Sequence, residues 1–340
     1  MIRWMLAACL VVAGCSNPVP TLHVFNWPDY FASDTIANFE KEFGCKVVLD
    51  YFDSPEMLRA KLEHPPSGFD VVFPSDEIVP SLVSASLVEP LDRTKIPNFV
   101  HIDARFKGLD FDRTNTHTVP YMWGMTGVAW NTKSVPGGIN SWKQLFDGAG
   151  TRKSTYLDDG HEVLVAAMFA NGDDPRKPTA ETIRRAADRV SKAKPTGWDS
   201  APKTRLVVGD HAVAHAFSGD ARQAAVAPER VADIGFAIPE EGGTIFVDNI
   251  AVAKGTGQSE LAHAFVNYLL RPDVSASITR EMKFGNPNAA ARALLPKELL
   301  DDPIVNPPES TLKRCVFLPV LTSEQRGLIE AAWAEIKGRG

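Results

Sequence analysis

Cysteine is scarce in this chain, four among 340 residues, too few for the disulfide framework of a small secreted scaffold. A basic excess is missing as well. Lys and Arg number 36 against 42 Asp and Glu, a formal charge of −6, and without a basic stripe nucleic acid is excluded as a partner class. No apolar run reaches the roughly 20 residues that a bilayer-spanning helix needs, which excludes a multi-span membrane protein. Common catalytic signatures are absent too: no Gly-x-Ser-x-Gly elbow, no phosphate loop and no Cys-x-x-Cys. Nothing implies a cofactor. Tyrosine is thin, five against 18 Phe and seven Trp. Apolar residues at 44% and charged residues at 23% are those of an ordinary globular chain, and its length favours two domains.

The first residues read as an address. Arg3 precedes a short apolar run ending Val12-Ala13-Gly14-Cys15, the layout of a secretory signal peptide. Its end resembles the lipobox of bacterial lipoproteins. Residues 1–14 are then a signal peptide, Cys15 is lipidated, and residues 15–21 are a tether. Two or more acyl chains would anchor it stably, since each buried CH₂ contributes roughly 0.8 kcal/mol. Only Cys45 and Cys315 remain in the body, and a disulfide between them and two free thiols both stay open.

From Leu22 onward short apolar strands alternate with amphipathic helices. Leu22–Asn26 reads as a strand. A helix opens near Ser33, turns Ile36, Phe39 and Phe43 to one face, and stops at Gly44. Residues 45–51 form the next strand. Ser54-Pro55 starts a second helix with a capping hydroxyl and a proline in the first turn, and residues 70–73 are a third strand. Val128–Asn131, a solvated helix over residues 179–192 and an amphipathic helix over residues 258–270 continue the pattern. The βαβαβ order predicts a parallel sheet with helices on both faces, where ligands bind beyond the carboxyl ends of the strands.

Those strand ends carry two ingredients, aromatic faces and carboxylates. Trp27 and Tyr30 follow the first strand, and Ser75, Asp76 and Glu77 follow the third. Asp159 and Glu162 flank His161 where an apolar strand meets a helix; capping that helix is the competing explanation. Phe217 and Asp220 form another junction, Phe246 and Asp248 a further one, and Phe284 precedes Gly285-Asn286-Pro287. Such a site suits an organic cation. Each π-face contributes about 0.5–2 kcal/mol to a desolvated ammonium, and carboxylates accept its N–H donors. His211 and His215 have an i, i+4 spacing, but on a strand their rings would stand about 13 Å apart, so they read as solvent-facing, and no metal site is expected.

Several blocks carry a resemblance. Phe25-Asn26-Trp27-Pro28-Asp29-Tyr30 is similar to the opening of spermidine/putrescine-binding proteins, the substrate-capturing components of polyamine ABC transporters. So are residues 69–75, residues 119–124, and Asn267-Tyr268-Leu269-Leu270-Arg271-Pro272-Asp273-Val274 with Asn286-Pro287-Asn288-Ala289-Ala290-Ala291. The resemblance runs from about residue 22 to the C-terminus and is strongest to the putrescine-type branch. It implies a type II periplasmic-binding-protein fold, two α/β lobes joined by hinge strands around a ligand cleft. Lobe 1 is expected at residues 22–130 plus 247–295, and lobe 2 at residues 131–246 plus 296–340.

The same resemblance implies that Trp27 and Tyr30 stack on a polyamine's methylene chain, Ser75 makes a polar contact, and Asp159 or Glu162 holds an amine. Asp220 and Asp248 match amine-binding carboxylates. Phe217 stands where the family has Trp, Phe246 where it has Trp or Phe, and Phe284 where Tyr is usual. Asp76 and Glu77 depart from the family pattern: they face the cleft, cap the following helix, or meet a basic group on closure. The expected molecule is a monomeric, lipid-anchored periplasmic protein, not an enzyme, that captures a polyamine for an inner-membrane ABC permease. Agmatine or a basic amino acid as ligand, polyamine sensing, and a hydrolase built on His161 are the rivals.

Overall fold

The strand–helix alternation at the start of the chain folds as read. In the computed structural model, which describes residues 18–148 and 151–338, β1 (Thr21–Asn26) lies between β2 (Lys46–Tyr51) and β3 (Val71–Val72), parallel to both. The signal segment, Cys15 and the first tether residues lie outside the described residues. Helix Thr35–Phe43 ends at Gly44, whose φ of 61° is left-handed, a conformation that lacks a Cβ penalty only for glycine. Helix Pro55–Leu62 is capped by Ser54, whose Oγ accepts from Met57 N at 3.3 Å.

The centre of the sheet departs from the parallel expectation. The remaining strands are β4 (Val119–Asn131), β5 (Ser154–Tyr156), β6 (Gly197–Trp198), β7 (Val213–Phe217), β8 (Ile234–Ala237), β9 (Gly243–Val252) and β10 (Cys315–Phe317). Their order is β2-β1-β3-β9-β4-β7-β5-β6, with β10 on β9 and β8 on β4. β9 is antiparallel to β3 and β4, and β4 is antiparallel to β7 and β8; parallel pairing returns at β5–β6 and β5–β7. β4 is also longer than the Val128–Asn131 strand read from sequence. Its first half pairs with β9 and its second with β7 and β8. The register shifts between Pro120 and Met122, where proline has no donor for the ladder.

Two large cores flank this centre. One gathers Leu22, Phe39, Phe73, Trp123, Phe265 and Tyr268. The other gathers Trp142, Tyr156 and helix Gly160–Asn171, in which every residue from His161 to Ala170 is buried. The C-terminal helix Ser323–Gly338 covers that helix, with Trp333 so close to Gly160 that a Cβ there would sit 2.6 Å from its ring. Ala291, Leu295, Leu299 and Val305 form a small core with Ala276. Cys45 and Cys315 are free thiols.

The histidine pair is corrected. Val207 ends a short helix, Lys203–Val207, and the strand begins only at Val213. His211 and His215 do not face solvent; they are 3% and 1% exposed. For His215 the reason is topology: β7 runs between β4 and β5, not at an edge. The His215 ring stands edge-on to Trp142 at 5.0 Å, and burial lowers its pKa to about 3, so it is neutral. Among the described residues no helix is long and apolar enough to cross a membrane.

Candidate functional site

Asp248 lies near the middle of the molecule, where the long strands meet the end of β3. It sits on β9 opposite Met122 of β4 and bridges to Ser75, just beyond β3. Tyr30, in the loop after β1, donates its hydroxyl to Asp248 Oδ2 at 2.6 Å, and Tyr121 in turn donates to the Tyr30 carbonyl. The loop and the two central strands are thereby tied together. Asp248 is 3% exposed. Burial raises its pKa to about 7, against the opposing Tyr30 hydrogen bond, and the charge of Glu77 adds to the rise.

A series of aromatic rings extends from Tyr30, the partner of this carboxylate. Ring centroids of Trp27 and Tyr30 are 6.5 Å apart, Tyr30 and Phe284 6.0 Å, Phe284 and Phe246 6.1 Å, and Phe246 and Phe217 5.2 Å. Two glycines let the rings approach the backbone. A Cβ on Gly124 would meet Phe246 at 2.6 Å, and one on Gly219 would meet Phe284 at 2.4 Å. Trp27 Nε1 and Ser75 Oγ are buried with no hydrogen-bond partner among the described residues, a costly condition for a polar atom unless a partner arrives. Asp220 occupies the first turn of helix Ser218–Val226 behind Phe217. Burial lifts its pKa to about 6, although Lys203 opposes the rise.

The second group of acids lies where the loop after β3 meets helix Gly160–Asn171. Asp76 is 5% exposed and accepts from Glu77 N at 3.0 Å. Burial, then the charges of Glu77, Asp248 and Glu162, hold its pKa well above the usual carboxylate range. Glu77 Oε2 accepts from His161 Nδ1 at 3.0 Å. Of the three readings open for this pair, helix capping is not realised: Val79–Ser84 starts without a side-chain cap. Glu77 instead meets a basic group from another element.

Asp159 and Glu162 take different roles. Asp159 caps its helix, accepting from Glu162 N at 3.0 Å, and burial with the charge of Glu77 raises its pKa to about 7. The capping explanation thus holds for its geometry, yet the carboxyl also belongs to the acidic group. Glu162 is 4% exposed and accepts from Thr126 Oγ1 on β4 at 2.9 Å and from Thr244 Oγ1 on β9 at 2.8 Å. Burial and Asp159 raise its pKa to about 8, against those two hydrogen bonds.

All twelve residues singled out beyond the strand ends therefore fall into one connected region. Electrostatic neighbours run from Asp220 past Tyr30 to Asp248, then to Asp76, Glu77, Asp159 and Glu162. Among the described residues no Lys or Arg forms an ion pair with Asp76, Asp159, Glu162, Asp220 or Asp248; the one basic partner in this region is His161, on Glu77. Thr126, Thr244 and Tyr121 were not apparent from sequence. Thr126 and Thr244 lie 118 residues apart, and no motif links them. For His161 the available signal was its place between two acids.

The family model described as bacterial extracellular solute-binding protein matches residues 34–307. The chain belongs to that family. Two curated solute-binding relatives are each 34% identical over 93% of this chain and 91% of their own length: the putrescine-binding periplasmic proteins SpuD of Pseudomonas aeruginosa and PotF of Escherichia coli. Among solved structures, the TpPotD lipoprotein of Treponema pallidum aligns with a TM-score of 0.82 at 28% identity, over 93% of this chain and 99% of that one. The solute-binding-protein fold expected from the resemblance is therefore the fold of this chain, with the antiparallel centre described above.

Proposed function

We propose that this solute-binding protein captures a polyamine, a putrescine-like diamine first, and delivers it to an inner-membrane ABC permease. Asp248 and Asp220 fix one ammonium, and Trp27, Tyr30, Phe217, Phe246 and Phe284 enclose the methylene chain. Asp76, Asp159 and Glu162 supply the negative charge for the far end, where Glu77 pairs with His161, and Ser75 adds a polar contact. The observation that carries this reading is Asp248: a carboxylate 3% exposed, whose side-chain partner is a phenol and not a cation, with that phenol's ring 6.0 Å from Phe284. A buried carboxylate with no positive partner is unfavourable, and an ammonium seated there relieves that cost. The names of the relatives point the same way.

Capture involves closure of two lobes, residues 22–130 plus 247–295 and residues 131–246 plus 296–340. The packing of Leu295, Leu299 and Val305 on Ala276 favours extending the first lobe to about residue 305. β4 and β9 are the hinge strands, since each changes partners along its length. Closure removes water and strengthens the ion pairs. The protein acts as a monomer without catalysis, held in the periplasm by acyl chains on Cys15.

Calorimetric titration of refolded, ligand-free protein with putrescine, cadaverine, spermidine, spermine and agmatine tests the reading. Saturable binding of at least one polyamine is expected. No heat with any of them overturns it.

A further inference from the structure

Among the described residues His161 is the one basic side chain paired with an acid of the Glu77 group, and its position is specific. It lies in the first turn of helix Gly160–Asn171, 9% exposed, with Nδ1 donating to Glu77 Oε2 at 3.0 Å. Glu77 belongs to a different element, the loop beyond β3, so the bond spans the boundary between the two proposed lobes. The charges that act on it are acidic. Glu77 comes from that loop, with Asp76 beside it in sequence, and Asp159 and Glu162 come from the cap and first turn of its own helix. Glu56 lies farther out on Pro55–Leu62, with Arg326 and Glu330 of the C-terminal helix beyond it. The backbone start of its helix is held from behind by Trp333 against Gly160, and Lys337 pairs with Asp158 at 2.8 Å.

We propose that His161, as an imidazolium fixed on Glu77, occupies the place of a ligand's far ammonium and thereby sets the length and charge of the cation the site prefers. This inference rests on the polyamine reading above. With the imidazolium in place, Glu77 is already neutralised, and the acids near Asp248 remain to receive a short diamine. A longer triamine must bring its third ammonium next to a fixed positive charge, or displace it. Burial alone would favour the neutral ring, but the Glu77 hydrogen bond and the charges of Glu77, Asp159 and Glu162 outweigh it and keep the imidazole protonated above the usual histidine range. As pH rises past that range the fixed charge disappears, and triamines gain relative to diamines.

The test is the ratio of spermidine to putrescine affinity, measured by calorimetry for the parent protein, His161→Gln and His161→Lys between pH 6 and 9. In His161→Gln at pH 6 the ratio is expected to move about tenfold toward spermidine, a difference of about 1.4 kcal/mol. The rise of the ratio with pH seen in the parent should be clearly smaller in that variant, what remains of it coming from Asp159, Glu162 and Asp248, which ionise in the same window. His161→Lys, which keeps a cation through this pH range, should match the parent's ratio at pH 6 and stay below it at pH 9. An unchanged ratio and pH profile in His161→Gln, with both ligands still bound, overturns the inference. If His161→Gln binds neither ligand, His161→Lys decides: a climb of the ratio with pH clearly shallower than the parent's supports the inference, and a climb as steep as the parent's overturns it. Failure of the parent to bind any polyamine overturns the underlying functional reading instead, so the two failures are distinct.

Discussion

The two ends of the acidic series solve the same electrostatic problem differently. At the Asp248 end, a buried carboxylate meets a phenol that continues into a series of aromatic rings, and the charge of Asp220 acts on the same phenol. At the Glu77 end, aromatic rings give way to more acids, and one of these is matched internally by His161. A desolvated carboxylate with π-faces around it is built to receive an ammonium with an apolar chain attached. A carboxylate already bonded to an imidazole has less to gain from a ligand. The contrast teaches that negative charge alone does not define the binding subsite. What matters is which carboxylates lack an internal cation.

Substitutions at the two ends should separate them. Asp248→Ala removes a buried acid that has no internal cation and a phenol as its side-chain partner, and the loss of a buried charge-pair partner typically costs about 2–5 kcal/mol. Putrescine Kd, read by calorimetry, should therefore rise on the order of a hundredfold or more. Glu77→Gln should change it far less, and a larger effect at Glu77 than at Asp248 would reverse the assignment of the two ends. Removing one ring from the wall, as in Trp27→Ala or Phe284→Ala, should weaken putrescine by about tenfold, in line with one cation–π and packing contact. A loss at either ring as large as that at Asp248 would mean that apolar enclosure, and not charge, dominates the site.

The smallest effect concerns the ligand-free protein. The pKa values of Asp220, Asp248, Asp159 and Glu162 are raised to about 6, 7, 7 and 8. Each therefore holds its proton in the folded state above the pH at which the unfolded chain releases it. Stability must then fall as pH rises from the ordinary carboxylate range to about 8. Scanning calorimetry should show the apo Tm dropping by a few degrees between about pH 5 and 8, with saturating putrescine removing most of the drop. An apo Tm that rises over this window would show that these carboxylates are not held protonated.

Much of this arrangement was legible from the chain, and the illegible parts have physical causes. Ser54-Pro55 and Gly44 announced their helix ends because capping is a local interaction. The aromatic and acidic residues beyond the strands were legible because strand ends are where open α/β sheets place ligands. β4 was mostly hidden: Pro120, Gly124 and Gly127 lower its strand signal, and its pairing is set by β9 more than a hundred residues later. His215 misled because a five-residue strand looks alike at a sheet edge and in its interior, and His211 because it precedes that strand. The bonds from Thr126 and Thr244 to Glu162 needed the antiparallel centre to exist first.

A crystal structure of the protein soaked or grown with putrescine tests the central assignment most directly. One ammonium nitrogen is expected about 3 Å from an Asp248 carboxylate oxygen, with the methylene chain between Tyr30 and Phe246 and the His161–Glu77 bond intact. Putrescine seated away from Asp248, or an ammonium on Glu77 with His161 displaced, would contradict it.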